Sequence, residues 1–398
     1  MTTRRQAVLA CAASMTGFVA KIAAGSRELV RLSRVPGGGL QPKIAIDHQG
    51  TMHLVYFAGD PERGELFYVK SADGGTTFSR PIRVNSQPGS AIAVGTIRGA
   101  QLAVGEDGRV HVSWNGSADA APAGPLNPDS GKPGMPMLYA RLDDAGTAFQ
   151  AQRSLMHHSF GLDGGGSIAA DRFRNVYVAW HGIDQKEASG TGKEGEARRR
   201  VWIAKSPDEG RSFSPEEKAW SQDTGACGCC GMKIFAGRRG NIYALYRSAT
   251  ESVHRDIYLL TSQNRGQSFQ GRLLHKWDIN ACPMSSMDIA ENADTVVGTW
   301  ETGGQVFWAR LDGGGGQPIS PAGEGKGRKH PRLAVNQSGD VLLAWTEGTG
   351  WKKGGSFAYQ VYDRTGQPTS DQGRMPGIAA WSFPAVAATR DNRFSILY

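Results

Sequence analysis

The sequence predicts an all-β fold built by repetition, and three observations predict it. Short runs of alternating apolar residues, separated by glycine-rich turns, fill the chain after Gly25, with no long helical periodicity. One strand–turn–strand pattern recurs seven times along the chain. A second pattern, centred on a tight turn, recurs four times among those copies.

The first pattern is an apolar strand, a turn, and a strand that ends on an aromatic residue. It reads KIAIDHQGTMHLVYF at 43–57, QLAVGEDGRVHVSW at 101–114, SIAADRFRNVYVAW at 167–180 and KIFAGRRGNIYALY at 233–246. It continues as DIAENADTVVGTW at 288–300, RLAVNQSGDVLLAW at 332–345 and AVAATRDNRFSILY at 385–398. Six copies are followed by a second half in which a strand runs into a turn and another strand, as in ELFYVKSADGGTTFSRPIRV at 65–84.

The turn of the second half reads SADGGTTF at 71–78, SPDEGRSF at 206–213, SQNRGQSF at 262–269 and, without the serine, LDDAGTAF at 142–149. The shared pattern is S-x-D-x-G-x-x-F. An Asp side chain can accept backbone N–H bonds there, Gly takes a positive φ at no steric cost, and the aromatic plugs the gap beneath. Asp73, Asp144 and Asp208 are therefore assigned to turn structure and to no catalytic role.

This turn resembles the Asp box of the sialidase, or BNR-repeat, families, and the resemblance covers nearly the whole chain after the N-terminal segment. It implies a β-propeller of four-stranded blades forming one domain over 26–398. Sialidases have six blades, whereas seven first halves are counted here, so seven blades are expected, with six as the alternative. The segment RELVRLSRV at 27–35 is similar to the tail of a second half and is expected to supply the outer strand of the last blade, closing the ring.

Residues 1–25 read as an export signal. Arg4 and Arg5 precede an uncharged, moderately apolar run from Gln6 to Ala20, and Ala23, Ala24 and Gly25 follow; the run is too short to span a membrane. The paired arginines fit a twin-arginine signal, a route for proteins that have already folded, with an ordinary secretory signal as the alternative. Cys11 follows too few apolar residues to make a good lipidation box. The expected location is periplasmic or extracellular.

With 398 residues, 39% of them hydrophobic, the chain has material for a large core. The net charge is +8, and Arg4, Arg5 and Lys21 contribute three of those charges from the signal. The remainder mildly favours acidic partners such as anionic sugars or lipid head groups. There is no nucleic-acid motif and no other segment long and apolar enough to span a membrane. A monomer acting on a glycan or another anionic small molecule is expected.

In such a propeller the loops entering each innermost strand and the loops joining second to third strands share one face, over the central channel. The entering loops are PGGGLQP at 36–42, VGTIRGA at 94–100, MHHSFGLDGGG at 156–166, GACGCCGM at 225–232, NACPMSSM at 280–287, GKGRKHP at 325–331 and AAWSFP at 379–384. Cys227, Cys229 and Cys230 thus enter the blade next to the one entered by Cys282, with Arg98, His157, His158, Asp163 and His330 on the same rim. Three states of these thiols are open. Disulfides suit an exported protein, for instance Cys230–Cys282, although Cys227 and Cys229 would then have to pair across one glycine. A soft-metal site would use Cys227, Cys229, Cys230, Cys282 and Met284, with Met232 and Met287 nearby, for copper, or the thiolates alone for zinc. A redox-active thiol pair is the third state.

The resemblance also implies exo-sialidase or related glycan chemistry, in which three arginines hold a substrate carboxylate and a Tyr–Glu pair and an Asp do the chemistry. The family's arginine motif near the start of the propeller is missing, because 35–43 reads VPGGGLQPK. Replacement candidates on the mouth side are Arg98, Arg247 and Arg255 for the carboxylate, and Tyr246, Glu251 and Asp163 as nucleophile, acid or base. The long polar loops at 115–135 and 182–200 should overhang the same mouth. Arg198, Arg199 and Arg200 in the second loop read as a solvated charge run or an anion-gathering patch.

Overall fold

A computed structural model describes residues 28–187 and 195–398. The expected export signal and Cys11 lie outside the described residues. The rest forms seven small sheets. Their innermost strands touch in cyclic order, the first meeting both the second and the seventh, so the ring is closed around a central channel.

Each of the seven first-half repeats folds as the two inner strands of a blade. Blade 1 runs Leu40–Ile46, Met52–Asp60, Arg63–Ser71 and Ile82–Arg83 from the channel outward. Blade 4 likewise runs Lys233–Ala236, Ile242–Arg247, Ile257–Ser262 and Gln270–His275. Blade 5 has three strands, Asp288–Glu291, Val296–Thr302 and Gln305–Arg310, and among the described residues its outer edge is met only by a bridge from Ile319 to Trp308. Seven apolar cores lie between successive blades, not within them. The aromatic residues that end the second strands fill them: Phe57 and Trp114 in the first, then Trp180, Tyr246, Trp300 and Trp345 in the next four. These side chains are almost wholly buried, so each contributes roughly 1.5–3 kcal/mol.

The last blade departs from the expectation in one respect. Ala385–Ala388 and Phe394–Leu397 are its own strands, and Val30–Ser33 closes it from the other end of the chain. The segment is the outer strand, as expected, but it pairs directly with Phe394–Leu397 and runs parallel to it. It therefore takes the place of a third strand with the direction of a fourth.

The turns of the second halves are structural. Asp73 accepts bonds from the Thr77 amide at 2.9 Å and the Ser71 hydroxyl at 2.7 Å. Asp208 accepts from the Ser212 amide at 2.9 Å and the Ser206 hydroxyl at 2.8 Å. Gly75 and Gly210 take φ of 91° and 75°, which no other residue adopts without strain. The plugging aromatics seat between blades: Phe213 meets Tyr139 edge-on at 4.8 Å, and Phe149 meets Tyr68 at 5.7 Å. The fourth turn corrects the sequence assignment. Its capping carboxylate is Asp143, which takes the Thr147 amide at 2.8 Å, whereas Asp144 faces solvent and pairs with Arg109 at 2.5 Å. The glycine keeps its place in this turn, and the bonding carboxylate stands one residue earlier, three rather than two residues before it.

Candidate functional site

The loops that enter the innermost strands are tied to one another around the mouth. Gln41, before blade 1, donates to the carbonyls of Ala93 at 2.5 Å and Trp381 at 2.8 Å, and its side-chain oxygen accepts the Gly99 amide at 2.8 Å. The Gly231 amide donates to the Ser285 carbonyl at 2.8 Å, and the His330 amide to the Ser285 hydroxyl at 3.3 Å. The cysteine-bearing loops are therefore neighbours, as their order predicts.

The four cysteines of the described residues are free. The bridge Cys230–Cys282 is not formed, because each is drawn to a different part of the cluster. Cys227 Sγ lies 3.4 Å from both Cys229 Sγ and Cys230 Sγ. A disulfide needs about 2.05 Å, so no pairing is preferred. Cys282 lies instead beside Cys229, where the two sulfurs and a Glu196 carboxylate oxygen are all within 4.8 Å of one another. Cys227 and Cys230 are fully buried, Cys229 is half-buried and Cys282 is exposed. The cluster thus runs from solvent into the protein.

Positive charge surrounds it. The Arg199 guanidinium lies against Gly228, with Nε and Nη1 lacking partners among the described residues. Arg255 pairs with Glu196, and Arg247 with Glu301 at 3.3 Å. Burial opposes ionisation of Cys230, but hydrogen bonds from the Cys227 and Cys229 thiols and the charge of Arg247 hold its thiol well below the ordinary range. Those same hydrogen bonds, with burial, push the Cys227 thiol up. His181 is buried beside this group, and neither ring nitrogen has a partner among the described residues. Burial, then Arg199, keeps that imidazole neutral, its pKa depressed to about 4.

The catalytic candidates do not assemble into a sialidase-like constellation. Arg98 and Asp163 do meet, but as an ion pair that joins two entering loops. Tyr246 is 2% exposed, its hydroxyl sits 2.7 Å from that of Thr224, and burial raises its pKa, which is the reverse of what a nucleophile needs. Arg247 is 1% exposed and spends its donors on Arg255 and Glu301 backbone carbonyls and the Glu301 carboxylate. Glu251 lies at the surface, 3.8 Å from His254. Met232 and Met287 are core residues between blades, leaving Met284, half-buried in the Cys282 loop, as the available thioether. His157 and His158 point outward, and their backbone amides bind Glu216.

The described parts of the long loops meet each other, and Glu196 of the second reaches the cysteine loop at Gly228. Arg198 of the second pairs with Asp129 of the first at 3.1 Å. The arginine run is not solvated: Arg198 and Arg200 are buried and paired, because the third strand of blade 3, Arg199–Ser206, begins inside it. Sequence reasoning missed Glu196, His181 and Glu301. Glu196 is hidden in a polar loop, and nothing in its neighbourhood marks it as the residue whose carboxylate takes the Gly228 amide at 2.8 Å. A cleft of about 320 Å³ on the opposite rim, lined by Arg239, Glu291, Asp294 and Asp312, brings no comparable group together.

No family model and no curated protein matches this chain. Solved structures do match. A Hadza microbial sialidase aligns at 15% identity over 77% of this chain and 63% of its own, with a TM-score of 0.52. A Penicillium chrysogenum alpha-L-arabinanase complexed with arabinobiose aligns at 15% identity over 84% of this chain and 95% of its own, also at 0.52. This chain spans less than two thirds of the length of that sialidase. At such identity the likeness concerns architecture: the chain is a seven-bladed, sialidase-like β-propeller.

Proposed function

We propose that the mouth of this propeller is a thiolate centre for a soft metal ion, copper or zinc, in a protein exported after folding. The observation that carries the reading is the spacing of three sulfurs from one short loop, with Cys227 3.4 Å from both Cys229 and Cys230. Thiolates around one ion at about 2.3 Å stand about 3.8 Å apart, close to this arrangement and far from a disulfide. A single loop that turns back on itself, Cys230 N–H donating to the Cys227 carbonyl at 3.2 Å, supplies all three. Burial makes bare thiolates costly. A bound cation together with Arg199, Arg247 and Arg255 offsets that cost. A twin-arginine route would let the metal be seated before export. The test is elemental analysis of the protein purified after native export with no metal added. Copper or zinc at one equivalent or more, lost on Cys229→Ser, is the expected result; protein without metal that also fails to take up Cu(I) when reduced would overturn the reading.

A second reading, an enzyme or binder acting on anionic glycans at the same mouth, is supported by the architecture shared with a sialidase and an arabinanase. It requires turnover or binding of a model sialoside or another glycoside. Its weakness is that Arg98, Arg247 and Arg255 are each committed to an internal carboxylate. No turnover and no binding across a panel of such substrates would sink it.

A further inference from the structure

Building on the thiolate reading, we infer that the cluster seats two metal ions, and that the Cys229 thiolate bridges them. The donors fall into two groups, Cys227–Cys229–Cys230 and Glu196–Cys229–Cys282, and within each group the ligating atoms all lie within 4.8 Å of one another. Cys229 is the one member common to both. The five atoms do not merge into a single group at that separation. One ion with donors at about 2.3 Å cannot hold atoms more than about 4.6 Å apart, so it cannot hold all five. Two ions sharing one sulfur can.

The two seats differ in chemistry. The inner one is all sulfur, and two of its three donors are fully buried. That donor set suits Cu(I), which takes soft ligands at low coordination number. The outer one has two sulfurs and one carboxylate oxygen, and Cys282 opens it to solvent. It suits a borderline ion such as Zn(II), or a second copper, with water completing the shell. Glu196 is already oriented for this role, because the Gly228 amide holds one oxygen at 2.8 Å and Arg255 the other. Cys282 arrives from the next blade, and its loop is tied to the first by the Gly231–Ser285 bond of 2.8 Å. The inner ion would be retained and the outer one exchangeable, so the pair is suited to accept an ion at the surface and hold another beneath.

The experiment is anaerobic titration of the reduced full-length protein with Cu(I), counted by native mass spectrometry, with Zn(II) added in a second series. The wild type should take up two ions. Cys282→Ala, at an exposed position, should take up one and keep its melting temperature. Glu196→Gln should weaken the second ion at least tenfold and leave the first unchanged. Cys227→Ser should lose the inner ion, and Cys229→Ser both. X-ray absorption on the doubly loaded protein should show metal–metal scattering, which independent sites would lack. One ion in the wild type, unaffected by Cys282→Ala, overturns the two-ion inference and leaves the thiolate reading standing. Two ions of which Cys229→Ser removes only one overturns the bridge. No ion at all overturns both.

Discussion

Replacing Arg247 by methionine separates a structural arginine from a substrate-binding one. Arg247 and Glu301 have side chains only 1% and 2% exposed, and their ion pair spans blades 4 and 5. Methionine keeps much of the volume and removes the charge, leaving Glu301 without its cation in a dry site. Breaking such a buried pair costs about 3–5 kcal/mol. Protonation of Glu301 sets a ceiling, since burial already raises its carboxyl in the intact pair, against the pull of Arg247. Protonating a carboxyl of ordinary pKa about 4.3 costs about 4 kcal/mol at pH 7 and about 1 kcal/mol at pH 5. In the variant Glu301 has a raised folded pKa, so the folded state binds the extra proton and the penalty grows as pH rises above about 4.3. Urea unfolding of the reduced protein should therefore show Arg247→Met destabilised by about 3–4 kcal/mol at pH 7 and by about 1 kcal/mol at pH 5. The double variant Arg247→Met/Glu301→Gln should recover most of the loss at pH 7. A cost below about 1 kcal/mol at pH 7, or one independent of pH, would refute the reasoning and return Arg247 to the set of residues free to meet a ligand.

Three further outcomes follow from the blades themselves. His111 is fully buried, bonded through Nδ1 to the Tyr139 hydroxyl at 2.8 Å, and burial together with Arg109 and Arg141 depresses its pKa to about 3. Its unfolded form protonates near pH 6.5, so stability should fall from there downward, by about 2 kcal/mol at pH 5; His111→Gln should remove that part of the acid sensitivity when unfolding is followed against pH. Asp208→Ala should cost about 1 kcal/mol through lost turn bonds that are largely solvent-exposed, without changing metal content. In the fourth turn Asp143→Ala should lower the melting temperature, whereas Asp144→Ala should lower it less.

Architecture was legible because it repeats. An aromatic at the end of each second strand, from Phe57 to Trp345, recurs at a spacing that only blade-against-blade packing explains, and the cores lie where those residues meet. Loop order then placed Cys282 beside the 225–232 loop before any contact was known. What the sequence hid depends on partners distant in the chain. Arg247 looked available because Glu301 lies 54 residues away in the next blade. Glu196 had no signature, since its place beside Gly228 is fixed by tertiary contact alone. The Asp143–Asp144 exchange and the parallel closing strand are local matters of one-residue register and strand direction, to which an apolar pattern is blind.

The charge of the channel bears on which ion the thiolates would select. Lys43 and Arg332 stand over the same Phe383 ring, at 4.6 and 4.1 Å, and Lys233 pairs with Asp288 at 3.1 Å. Burial, then Arg332, holds the Lys43 ammonium well below its usual range, with Asp288 opposing. His330, between the channel and Cys230, is kept neutral for the same reasons, burial first and Arg332 second, with a pKa of about 3. At any given separation and dielectric, a guanidinium repels a divalent ion twice as strongly as a monovalent one. Every arginine that helps keep the thiols ionised therefore also shifts the preference of a given thiolate set toward the lower charge. A thiolate cluster in a neutral pocket would favour Zn(II) for its charge; beside Arg199, whose Nε and Nη1 have no partner among the described residues, the proposed cluster would lean toward Cu(I), whose bond to sulfur depends least on charge. In the proposed outer seat the Glu196 carboxylate, shared with Arg255, would offset part of that repulsion for a divalent ion.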